Sequence, residues 1–88
     1  NLENANLIHA DFAGANLNFT CLMSANLSDA YLTEANLTNA NLKNANLTNV
    51  SWYDTTCPNG TNSGWSYNFN YNTCYGHLNG AVPAAGCD

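Results

Sequence analysis

The chain has 88 residues, enough for one domain with a modest core. Lys43 is its one basic residue against six acidic ones, and the net charge is −5. That excludes the basic footprint direct nucleic-acid binding needs and the polybasic patch that holds a protein to an anionic membrane. The longest apolar runs fall well short of the roughly 18 residues of a spanning helix, so no membrane insertion is expected. The chain starts on Asn1 without an initiator Met or signal peptide, which reads as a mature form or an excised domain.

The first element is a five-residue repeat that runs from Ala5 into Asp54. Its central apolar residues are Leu2, Leu7, Phe12, Leu17, Leu22, Leu27, Leu32, Leu37, Leu42, Leu47 and Trp52, with a small residue two places before nearly every one. A helix cannot use this pattern, because residues five apart are turned by about 140° and form no stripe. Asn and Thr, which fill most other places, are weak helix formers. A flat strand fails as well, since an odd period sends successive leucines to opposite faces. The pattern works if the chain bends once per unit, so that Ala and Leu point inward from a very short extended segment. Repeated corners make a solenoid whose coils must stack to bury their apolar sides. Departures from Asn before the central residue include Asp11, Tyr31 and Ser51, spaced by 20, and Phe12 and Trp52 lie 40 apart. This spacing favours four units per coil.

The A-(D/N)-L-x-x units over residues 1–54 resemble the pentapeptide repeat family. The resemblance implies an all-β, right-handed, roughly square β-helix with four repeats per coil, here just under three coils. On that plan Leu2, Leu22 and Leu42 stack on one side, Leu7, Leu27 and Leu47 on the next, Phe12, Leu32 and Trp52 on the third, and Leu17 and Leu37 on the fourth. Each buried Leu contributes about 1.5–3 kcal/mol. Alanine at the inner companion place keeps the coil narrow, and Val50 with Trp52 widens the last coil towards its cap. Asn6, Asn26 and Asn46 are expected to form an amide ladder bonded up and down the stack.

Residues 55–88 form a second segment, a C-terminal cap of the same domain. Cys57 falls where the next central apolar residue is due, above Leu37. Pro58-Asn59-Gly60 is a turn signal. Trp65, Tyr67, Phe69 and Tyr71 alternate with polar residues as a strand with one aromatic face, expected to lie over Leu37, Leu47 and Trp52. Tyr75 to Gly80 is turn-rich, and the rest reads as an irregular tail.

The segment from Thr55 to Ser63, with Thr73 to Leu78 after it, resembles the C-terminal end of cyanobacterial pentapeptide repeat proteins, where C-P-D-G-T-N-S is followed by C-E-G-H-L. Asn59 stands here for the Asp and Tyr75 for the Glu. The four cysteines allow three pairings. The resemblance implies Cys57 with Cys74, which leaves Cys21, at an outward place, for Cys87. A zinc site is the rival reading, but no C-x2-C spacing occurs and His9 and His77 lie far apart. Disulfides imply an oxidising compartment, extracytoplasmic, such as a thylakoid lumen or periplasm.

No catalytic residue, cofactor or metal site is read from this chain. His9 points outward and faces Asp29 one coil above, but a triad needs a nucleophile and an orienting acid converging on it. Asp29, Glu34 and Asp54 lie at adjoining outer positions and read as a solvated face. Six N-x-S/T sequons, at Asn18, Asn26, Asn36, Asn46, Asn49 and Asn59, follow from the repeat itself. Ile8, Phe19, Met23, Tyr31 and Tyr53 are outward apolar residues that would mark a contact surface if clustered. Three functions are open: a non-catalytic structural or interaction module with a protein partner, an acidic DNA mimic that inhibits DNA gyrase as some members of the resembled family do, and an enzyme. The first is favoured, and nothing in the residues supports the third.

Overall fold

The computed structural model describes residues 1–64 and Cys74. Parallel backbone bridges join Asn6 to Asn26 to Asn46, Asp11 to Tyr31 to Ser51, Asn16 to Asn36 to Thr56, and Cys21 to Asn41. The register is therefore 20 residues, and the four bridge columns define four sides of the coil, first to fourth in that order. The parallel ladder reaches Thr56.

Units with a coil on both sides share one hydrogen-bond plan, as the unit around Leu27 illustrates. The Leu27 N–H donates to the Asn46 carbonyl at 2.8 Å, and the Asp29 N–H to the Thr48 carbonyl at 2.9 Å. In the other direction the Asn26 N–H donates to the Ala5 carbonyl at 2.9 Å. The Ala30 N–H closes the corner on the Leu27 carbonyl at 2.9 Å. Each corner is thus a β-turn, and its third residue has positive φ, the type II pattern. Ten non-glycine residues sit there, from Asn4 to Asp54, with φ between 53° and 62°. Six are Asn or Asp, which visit the left-handed region at least cost. Gly14 takes the place in one unit, at φ 71°.

The expected amide ladder is not what forms. The Oδ1 atoms of Asn6, Asn26 and Asn46 accept the N–H two residues ahead, from Ile8, Ser28 and Thr48. That N–H makes no coil-to-coil backbone bond, and the short amide satisfies it locally. The coil-to-coil ladder is carried by the backbone. Ser28, Thr38, Thr48 and Thr61 add their hydroxyls to the same Asn oxygen. Four of the sequons are therefore paired turn caps.

Burial follows position in the stack. Leu22, Leu27, Leu32 and Leu37 are wholly buried, with Ala25, Ala30, Ala35 and Ala40 beside them. Leu17, Leu42, Leu47 and Trp52 are buried too. Leu2, Leu7 and Phe12 of the first coil are only partly covered and pack against the cluster's edge. Cys21 occupies the outward row of the fourth side, yet it has no exposed surface. It is disulfide-bonded, and its expected partner Cys87 lies outside the described residues.

The ladder ends by reversing. The Gly60 N–H closes on the Cys57 carbonyl at 2.8 Å, with Pro58 at the second turn position and Gly60 at φ 87°. The Cys57 N–H then donates to the Thr61 carbonyl at 2.7 Å, and Thr56 pairs antiparallel with Asn62. This is a three-residue hairpin loop with a glycine bulge. The returning segment takes over what a further coil would supply, since the Asp54 N–H donates to the Gly64 carbonyl at 2.7 Å. Beneath it Thr55 is fully buried and donates its hydroxyl to the Leu32 carbonyl at 2.6 Å, while its N–H reaches Ser63 Oγ at 2.9 Å. The Ser63 hydroxyl donates to the Trp52 carbonyl. Cys57 and Cys74 are both fully buried and joined as a disulfide, Cα to Cα 5.4 Å. The aromatic strand expected over the stack, Trp65, Tyr67, Phe69 and Tyr71, lies outside the described residues.

Candidate functional site

With the core fixed by the central residues, outer positions are free to vary, and the second side varies most. Its bridge column holds Asp11, Tyr31 and Ser51. The corner leading into it stacks His9, Asp29 and Asn49, and the corner leaving it stacks Gly14, Glu34 and Asp54. Four of the five described carboxylates, all but Glu3, thus flank one side of the solenoid. Lys43 follows Leu42 on the fourth side, opposite.

Tyr31 and Tyr53 are both exposed on this second side, Tyr31 by 52%. The other outward apolar residues do not join them as one patch. Ile8 is exposed on the first side, Phe19 stands at the corner between third and fourth, and Met23 is half-buried on the fourth. Phe19 also holds φ 58°, an uncommon place for a bulky residue.

A shallow groove lies where the incoming corner meets the second side, lined by His9, Asp29, Tyr31, Asn49 and Ser51, with a volume of about 340 Å³. The Asn49 Nδ2 donates to Asp29 Oδ1 at 2.7 Å. His9 Nδ1 lies 3.9 Å from Asp29 Oδ2, too far for a hydrogen bond. His9 and Asp29 are thus neighbours, as their spacing of one coil implies. Ser51 shares the groove, but two coils separate it from His9, about 10 Å on the usual strand spacing. The acid stands between the histidine and the serine, whereas a triad needs the base in the middle. His77 lies outside the described residues. Among the described residues no group of three or more His, Cys, Asp or Glu side chains could hold a metal ion, and no helix is long and apolar enough to cross a membrane.

The fold defines a parallel repeat solenoid with its central apolar residues inside. The chain belongs to the pentapeptide repeat family, whose model matches residues 1–29 and 25–51 in eight copies. Among solved structures it is similar to HetL, a pentapeptide repeat protein involved in heterocyst differentiation regulation in the cyanobacterium Nostoc sp. strain PCC 7120. The two are 32% identical with a TM-score of 0.67, over 69% of this chain and 29% of HetL. The chain therefore spans less than a third of HetL's length. No curated protein matches it.

Proposed function

We propose that the chain is a non-catalytic interaction module that presents a side of a right-handed solenoid to a partner protein. The observation that carries this reading is the pair of exposed tyrosines, Tyr31 and Tyr53, on a side where the core asks nothing of either. Tyrosine is enriched at protein interfaces because it offers a large apolar body with a polar tip. The regulatory role of HetL is in keeping with a surface that acts by binding. The Cys57–Cys74 bond supports an extracytoplasmic setting, a cyanobacterial thylakoid lumen or periplasm, where disulfides persist. Affinity capture from such a compartment, with the chain and its Tyr31→Ala/Tyr53→Ala variant as baits, tests the proposal. A partner retained by the first and lost by the second is expected. Equal capture by both would move the interface off the second side.

An acidic DNA mimic is the second reading, favoured by the gathering of carboxylates on one side. Magnitudes weigh against it. Duplex DNA carries one charge per about 1.7 Å of axis, so a length of about 14 Å holds about eight charges. The second side and its corners offer Asp11, Asp29, Glu34 and Asp54. Gyrase supercoiling that continues at a large excess of the protein would remove this reading.

A further inference from the structure

We infer that the groove between the incoming corner and the second side receives the guanidinium of an arginine presented by a partner protein. The inference rests on the interaction-module reading and names the chemistry of its partner. Three observations carry it. The groove has an aromatic wall, since the Tyr31 ring is half exposed beside it. It has an acceptor set. Asp29 Oδ1 is held by the Asn49 amide, which fixes the carboxylate, and Oδ2 has no hydrogen-bond donor within reach among the described residues. Asp11, bridged to Tyr31 from the coil below, lies outside the groove lining and accepts the Ala13 N–H, so Asp29 is the carboxylate of the groove. Finally, no lysine or arginine of the chain stands there, because Lys43 lies on the opposite side, and His9 Nδ1 comes no nearer to Asp29 Oδ2 than 3.9 Å.

Arginine fits this set better than lysine. Its planar fork stacks on an aromatic ring and bonds a carboxylate through two N–H groups at once, whereas an ammonium is a hydrated point charge. A neutral polyol would meet the same ring and hydroxyls, but would leave the charge of Asp29 unanswered. The groove is open and short, which suits one side chain standing out from a surface rather than a buried small molecule.

The experiment is a heteronuclear NMR titration of the oxidised chain with an acetyl-Gly-Arg-Gly-amide peptide. Its citrulline and lysine counterparts and methyl glucoside serve as competing chemistries. Shifts confined to His9, Asp29, Tyr31, Asn49 and Ser51 are expected with the arginine peptide. Citrulline should bind more weakly by up to about fivefold, as should the arginine peptide to the Asp29→Asn variant. Asparagine tolerates the left-handed backbone at that corner, so the substitution removes charge and leaves the turn. Tyr31→Leu should cost arginine its advantage over lysine, and Lys43→Ala should change nothing. If Asp29→Asn does not fold, Tyr31→Leu and the loss of binding with added salt decide the matter. Absence of shifts, equal binding of citrulline or lysine, or binding of methyl glucoside at the same amides would each overturn the inference. A partner captured equally by the chain, Asp29→Asn and Tyr31→Leu would also overturn it, while leaving the interaction module standing.

Discussion

Leu7 and Leu27 are the same residue at the same place in the same repeat, one coil apart. Leu27 is wholly buried and Leu7 is not. Phe12 and Leu32 differ in the same way. The unit therefore does not bury itself. Its apolar place is defined locally, but its stabilisation comes from the coils on either side, as expected of a quasi-one-dimensional stack. The two ends of the described solenoid differ as well. Past Thr55 the ladder is turned back by a hairpin and tied to Cys74, so that end is closed by chain reversal.

The sharpest break of this comparison is Leu27→Asn against Leu7→Asn. At Leu27 the loss of burial and an unsatisfied amide should together cost about 4 kcal/mol, and at Leu7 less than half of that. Thermal or denaturant unfolding reads the difference, and equal losses would mean that stacking does not set burial. Reducing Cys57–Cys74 comes next. The bond spans 17 residues, and opening it should cost about 3 kcal/mol by freeing the unfolded chain. Amide exchange should then rise from Leu42 to Cys57 towards the rates of the first coil, and unchanged exchange would show that the hairpin alone closes that end.

Thr55→Val is a smaller test of the closed end. It keeps the shape but leaves the Leu32 carbonyl without the Thr55 hydroxyl, at a cost of about 1–2 kcal/mol in unfolding free energy. A neutral outcome would show that water replaces the hydroxyl. Smallest of all, Phe19→Asn should stabilise by about 1 kcal/mol, because asparagine accepts a φ of 58° more readily than phenylalanine. A loss of stability on that substitution would mean that Phe19 is held by contacts worth more than its strain.

The period and the register were legible because apolar spacing is a direct image of where the coil turns. Asp11, Tyr31 and Ser51 even mark the 20-residue step, since they stand in one bridge column. Other features were less open to reading. The left-handed corner residues are not marked by the apolar spacing, although six of the ten are Asn or Asp, a bias that a column-by-column count exposes. The asparagine amides were assigned to a ladder because repeat spacing shows which residues stack but not which donor lies nearer. An N–H two residues away outcompetes a side chain one coil off. The burial of Cys21 could not be read from its place, because the repeat puts that position on the outward row. The groove was half visible. The His9–Asp29 proximity follows from the period, whereas the part of Tyr31 and Ser51 needs the register and the corner geometry together.

The 20-residue register has a consequence for how such a chain can change over generations. Gain or loss of a single five-residue unit keeps every central leucine pointing inward. It turns all later residues by a quarter of a revolution relative to those before. Were one unit lost between Ala10 and Asp29, His9 would no longer share a corner with Asp29, and Asp11 would part from Tyr31, while the remaining leucines still faced inward. Only slips of four whole units leave the painted side intact. The lineage can therefore shuffle its outer faces like the rings of a combination lock, at little thermodynamic risk, and selection on binding rather than on folding decides which alignments persist.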